Sequence, residues 1–181
     1  MRVLFVINTL GFVRHFDRVV ADRVGRGHRV TLGVTDQDGQ RLGLPEALRD
    51  LSSVRVVEAP FERVGQLRGP VRLLRALRDY LRYHEAPFDE KDAYRARAFE
   101  RIQHASFGGA QSTTDRTGPI CARFTPEESR RVQRLLEILE GVVPTDAVYD
   151  RFLHSERPDV VLVTPLVWFG SPLVDIVKSA Q

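Results

Sequence analysis

Residues 1–34 read MRVLFVINTLGFVRHFDRVVADRVGRGHRVTLGV. Within them Val3-Leu4-Phe5-Val6-Ile7 is apolar throughout, which suits a strand covered on both faces of a parallel sheet rather than a half-solvated hairpin. Such a strand belongs in the sheet centre. After the loop Asn8 to Arg14, apolar residues at Val13, Phe16, Val20 and Val24 recur at steps of three and four, one stripe of a helix. Gly25-Arg26-Gly27 ends that helix, because glycine takes the left-handed conformation that closes helices. Arg29-Val30-Thr31-Leu32-Gly33-Val34 then supplies a second strand rich in β-branched residues. Strand, helix and strand in this order make a βαβ unit, whose crossover is nearly always right-handed.

Working outward, the polar loop Thr35 to Gly43 leads through a short helical piece around Pro45 to Asp50 into a third strand, Val54 to Glu58. From Pro70 to Tyr83, Leu73, Leu74, Leu77 and Leu81 form one helix face, with Arg68, Arg75, Arg78 and Arg82 on the wet side. Glu90 to His104 reads as a weaker, more charged helix. Ser, Gly, Thr, Gln and Asp dominate the stretch from Ala105 to Arg123, which predicts a flexible loop near 105–124. Thr125-Pro126-Glu127-Glu128 is a capping box with proline at the first helical position. It starts a helix to about Gly141, with Val132, Leu135, Leu136 and Leu139 as the expected core face. Another helix runs from Thr145 to about Ser155, and Pro158-Asp159 introduces a fourth buried strand, Val160 to Val163. Ser171-Pro172 restarts a helix carrying Leu173, Val174 and Ile176.

The expected architecture is therefore α/β, a Rossmann-like doubly wound parallel sheet in the order 3-2-1-4 with helices on both faces. Strands one and four should be adjacent and parallel in its centre. With 181 residues, one domain spanning 1–181 is expected.

Composition narrows the function. Hydrophobic residues make up 43% of the chain, and no apolar run approaches the roughly 20 residues of a membrane-spanning helix. The N-terminus runs straight into a strand, without the apolar core and small-residue cleavage site of a signal peptide, so the cytoplasm is the expected location. The lone Cys121 cannot form an internal disulfide and has no second cysteine with which to hold a metal. Net charge is +3, but acids nearly balance the arginines along the chain, which argues against nucleic acid as a partner.

In an open parallel sheet, ligands bind outside the carboxyl ends of the strands, where the strand order reverses. The order 3-2-1-4 puts that crevice between the loop after strand one and the loop after strand four. The first contains Asn8, Thr9, Gly11, Arg14 and His15, and the second contains Thr164, Trp168, Phe169, Gly170 and Ser171. A dinucleotide site requires three glycines at G-x-G-x-x-G spacing in the first loop. Here Gly11 stands alone, and Gly25 and Gly27 fall after the helix. The P-loop pattern is missing too, so nicotinamide, flavin and ATP all lose support and no cofactor is assigned. No metal site is assigned either.

Two stretches carry a family resemblance. Arg2-Val3-Leu4-Phe5-Val6, then Gly11, His15 and Gly25-Arg26-Gly27-His28-Arg29-Val30-Thr31, resembles the opening of GT-B glycosyltransferases. There a strand, a glycine-containing loop and a helix lead to an "RGH-V-T" strand. Pro158-Asp159-Val160-Val161-Leu162-Val163 resembles a later "PD-hydrophobic" strand of the same domain. The resemblance implies the N-terminal, acceptor-side half of a two-domain enzyme that transfers a sugar from a nucleotide-sugar donor. In that family the donor binds mainly in the C-terminal domain, which this chain lacks, so the sequence reads as truncated and inactive alone.

The resemblance also implies roles. In several such enzymes a first-loop histidine is the general base on the acceptor hydroxyl, a task that suits an imidazole. His15 is the histidine placed for it, although it lies four residues beyond Gly11 rather than beside it. The alternative is that His15 caps or packs at the helix start. Arg14 is expected to contact a phosphate or carboxylate of the substrate, or else is solvated. Asn8, Gly11, Thr164, Trp168 and Ser171 complete the expected substrate-binding set, with Trp168 either stacking on a sugar or covering the sheet end. The acceptor is a sugar, a lipid or another small molecule, and the arginine face of residues 68–82 raises peripheral membrane contact. An apolar fourth strand left at an edge would favour self-association. The rival reading is a Rossmann-type ligand-binding or interaction module without turnover.

Overall fold

The computed structural model describes residues 1–36, 43–85, 92–105, 124–164 and 170–181. The loop expected near 105–124 lies, but for its ends, outside the described residues. In chain order the elements are β1 (Arg2–Ile7), α1 (Asp17–Gly25), β2 (Arg29–Val34), α2 (Glu46–Arg49), β3 (Val54–Glu58), α3 (Arg68–Leu81), α4 (Asp92–Ala105), α5 (Pro126–Val142), α6 (Ala147–Glu156), β4 (Val160–Thr164) and α7 (Val174–Ser179). They fall into two compact units. The first comprises Met1–Val64, Thr145–Leu166 and Pro172–Gln181, and the second Gly65–Pro144 and Val167–Ser171.

The first unit is an α/β layer structure around a four-stranded sheet of order β3-β2-β1-β4. Every pairing is parallel, with Ile7 beside Val34 on one side and Thr164 on the other. Alternation along β1 supplies both halves of the core. Val3, Phe5 and Ile7 pack with Val13, Val20 and Leu48 on the α1 and α2 face. Leu4 and Val6 pack with Tyr149, Leu153, Leu173 and Ile176 from the α6 and α7 side. The sheet is thus wound on both faces, as the βαβ reading requires. Gly33 belongs to the second face, where a Cβ would meet the Cβ of Ala59 at 3.2 Å and the ring of Phe152 at 3.4 Å.

The turn between α1 and β2 is explained by its glycines. The Gly27 N–H donates to the Val24 carbonyl (2.8 Å) and the His28 N–H to the Arg23 carbonyl (3.1 Å). Gly27 sits at φ +80°. This is a Schellman closure, which a side chain at position 27 would strain.

One expectation about the sheet is overturned. β4 is parallel to β1, but among the described strands it lies at the edge of the sheet rather than in its centre, and Leu162 is 45% exposed. Continuous apolarity tells of contact on both faces, whereas the number of strand neighbours is settled by chain topology.

In the second unit α3, α4 and α5 pack through Ala76, Tyr80, Leu81 and Ala98, with Phe99, Val132 and Leu136 against them. The capping box forms as expected. The Thr125 Oγ1 accepts the Glu128 N–H (3.2 Å), and the Glu128 carboxylate accepts the Thr125 N–H (2.8 Å). That backbone N–H, with the Thr125 hydroxyl, holds the Glu128 carboxyl below the usual carboxylate range. The folded pKa being lowered, this contribution is complete at neutral pH and fades as pH falls through it. Thr125→Ala should cost about 1 kcal/mol in a urea titration, the usual worth of an N-cap hydroxyl.

Two helix faces differ from the sequence expectation. Arg75, expected on the wet side of α3, is 2% exposed, because its guanidinium grips the Glu140 carboxylate at 2.8 and 3.1 Å. On α5 the buried stripe is Ser129, Gln133 and Glu140, whereas Leu135 and Leu139 of the expected core face are exposed. A buried ion pair reverses the inference from charge, since α5 turns Glu140 inward beside Val132 and Leu136 and leaves Leu135 and Leu139 outside.

Candidate functional site

The carboxyl edge of the first unit's sheet is tied together by backbone and side-chain hydrogen bonds. Beyond β2, the Thr35 N–H donates to the Ile7 carbonyl (3.0 Å) and the Asp36 N–H to the Asn8 carbonyl (2.8 Å). The Thr35 hydroxyl donates to Asn8 Oδ1 at 3.0 Å, and both residues are buried. The exits of β1 and β2 are therefore fixed relative to each other, and the loop after β1 leaves a rigid base.

That loop is a 3₁₀ helix, Leu10–His15, with Leu10 and Val13 buried. Its turns close through the Phe12 N–H to the Thr9 carbonyl (3.1 Å) and the Phe16 N–H to the Val13 carbonyl (2.8 Å). Phe16 then anchors its far end, edge-on to Phe5 with centroids 5.1 Å apart. With the apolar residues turned inward, Arg14 and His15 are left exposed at the end of the turn. The Arg14 Nε–H donates to His15 Nε2 at 3.4 Å. His15 does not cap α1, whose N-cap is Phe16.

Of the expected site residues, Asn8 directly follows β1, Gly11, Arg14 and His15 lie on the 3₁₀ turn after it, and Thr164 ends the adjacent β4 in register with Ile7. Thr164 is half-buried, and Gly11 lies within the 3₁₀ turn, where its φ is not positive. Trp168 lies outside the described residues. Ser171 belongs to the second unit. There it is buried, and its carbonyl accepts from Arg75 Nη1 at 3.3 Å. The neighbouring Gly170 N–H donates to Asp79 at 3.0 Å. Burial pushes the Asp79 carboxyl above the usual range, against the pull of that N–H and of Arg78, Arg82 and Arg75.

Sequence reasoning missed Thr35, which reads as part of a polar loop. The available signal was a hydroxyl placed directly after a buried strand, where carboxyl-edge groups collect. It also missed Arg63, whose Nη1 pairs with Asp175 at 2.9 Å with both side chains almost wholly buried.

Two of the cavities on the first unit flank β4 rather than the carboxyl edge alone. The larger, about 630 Å³, is lined by Leu153, Arg157, Val161, Val163 and Val177 among others. The smaller, about 250 Å³, runs between α1 and β4 from Arg23 to Phe16 and Thr164. Among the described residues, no group of three or more His, Cys, Asp or Glu could hold a metal ion. No helix among them is long and apolar enough to cross a membrane. No family model, curated protein or solved structure matches this chain.

Proposed function

We propose that this chain is the acceptor-side, N-terminal domain of a GT-B glycosyltransferase that moves a sugar from a nucleotide-sugar donor to a sugar, lipid or other small-molecule acceptor. The observation that carries the reading is an exposed His15 beside Arg14, on a 3₁₀ turn directly after the central strand of a 3-2-1-4 parallel sheet. In this scheme the acceptor hydroxyl oxygen attacks the anomeric carbon and its proton passes to the His15 imidazole. The bond from the anomeric carbon to the donor's phosphate oxygen breaks, and the nucleotide diphosphate leaves with the electron pair. Arg14 steers an anionic group on the substrate, and Asn8 and Thr35 stiffen the base from which the turn projects. The donor nucleotide belongs to a second domain.

A module that binds a ligand without turnover is the second reading. One observation favours it, since the Asn8 side chain is engaged internally with Thr35 rather than turned to the crevice. Saturation-transfer NMR on the 181-residue chain separates the ligand classes. Sugars should bind weakly, with Kd on the order of 1 mM, and a nucleoside diphosphate should bind no better. A nucleotide that binds far more tightly than any sugar contradicts the acceptor-side assignment.

A further inference from the structure

We infer that Phe12 is the platform on which the acceptor stacks, and that the acceptor is a sugar ring rather than a lipid chain. The inference rests on the acceptor-side reading of this site and names its substrate class. In a 3₁₀ helix, residues three apart stand one above the other, so the turn Leu10–His15 has three faces. Leu10 and Val13 occupy one, and Phe16 continues it. All three pack in the core of the first unit, with Leu10 and Val13 buried. Gly11 and Arg14 occupy the second. Phe12 and His15 share the third, with ring centroids 6.4 Å apart and planes at 49°. Phe12 is half-buried and takes part in neither apolar cluster described for the first unit. Among these described apolar side chains, three fasten the turn to the sheet and the fourth stands beside the candidate base.

The chemistry of that face suits one small ring. The face of an aromatic side chain is electron-rich, and the C–H bonds on the apolar side of a pyranose present partial positive charge to it. A lipid chain, by contrast, is held by apolar surface that encloses it, whereas Phe12 is flanked on the turn by Gly11, Arg14 and His15. A pyranose in contact with the Phe12 ring lies about 4 Å above it. Its hydroxyls project from the ring edge toward an imidazole centred 6.4 Å from the phenyl centroid. One of them then comes within about 3 Å of that imidazole, the reach a general base requires. Arg14, on the adjacent face, donates to a further hydroxyl or to an anionic substituent. Phe12 is thus a specificity-determining residue, touching the acceptor without moving a proton.

NMR titrations of the 181-residue chain with methyl glucoside, methyl galactoside and N-acetylglucosamine, with octyl phosphate as the lipid probe and uridine diphosphate as the nucleotide probe, test the assignment. A sugar should bind the parent chain with Kd on the order of 1 mM. It should shift the Phe12 ring protons, and its own C–H protons should move upfield in the ring current. Phe12→Leu, which keeps an apolar side chain but loses the aromatic face, should weaken that binding by about fivefold, and Phe12→Tyr should retain it. Both variants should melt with the parent. Sugars that bind Phe12→Leu as well as the parent, still perturbing Asn8 to His15, overturn the stacking and leave the acceptor-side reading standing. Octyl phosphate bound there in preference to every sugar overturns it in favour of a lipid acceptor. So does a parent chain that binds no sugar, or a Phe12→Leu chain that melts well below the parent. Uridine diphosphate bound there far more tightly than any sugar defeats the acceptor-side reading itself.

Discussion

Asp175→Ala is expected to destabilise the first unit by about 3–5 kcal/mol, because it removes a carboxylate that faces the buried Arg63 guanidinium. Asp175 is wholly buried at the first turn of α7, and Arg63 Nη1 reaches it at 2.9 Å with a side chain 5% exposed. A surface pair would be worth a fraction of this. Desolvation makes the difference, since neither partner can exchange the other for water. Replacing both residues, as Arg63→Met with Asp175→Leu, should recover most of the loss, because two apolar groups of similar volume leave no charge unmet. Urea titrations of Arg63→Met, Asp175→Leu and the double variant measure the coupling. Single variants as stable as the parent chain would show that burial of the pair contributes nothing.

The same pair marks the boundary of what is legible in the sequence. β2 and β3 are readable to the residue, since apolar or β-branched runs bounded by Gly27 and by polar loops leave few alternatives. The 3-2-1-4 order is also readable, from a βαβ opening and a fourth apolar strand. Residues whose character opposes their location are not. Arg75, Arg63 and Glu140 are buried through partners 65 or more positions away along the chain, and periodicity within one helix carries no signal of them. For the same reason Leu135 and Leu139 of α5 read as inward-facing. At the candidate site, the positions of Arg14 and His15 are legible because a loop after a central parallel strand has one place to go. The Thr35–Asn8 bond joins two loops and is not.

His15→Ala is expected to lower glycosyl transfer by about a hundredfold or more in an enzyme carrying this domain, the usual worth of a general base, with folding unchanged. His15 is exposed and does not cap α1; among the described residues it accepts a hydrogen bond from Arg14 and lies beside the Phe12 ring, with centroids 6.4 Å apart, so its removal opens no buried cavity. The loss should fall on kcat more than on KM, because proton removal belongs to the transition state rather than to ground-state binding. Arg14→Ala should show the opposite emphasis, raising KM for an anionic substrate. Coincident thermal melts for His15→Ala and the parent chain would confirm that the change is chemical. Unchanged turnover would reduce His15 to a surface residue.

The most direct measurement of the central claim is residue-resolved amide chemical-shift mapping of the chain during titration with acceptor sugars. Perturbations confined to Asn8 through His15, Thr35 and Thr164, at the carboxyl edge of the sheet, are the predicted result. Perturbations clustered along α6, α7 and the opposite end of β4, with the loop after β1 silent, would contradict it.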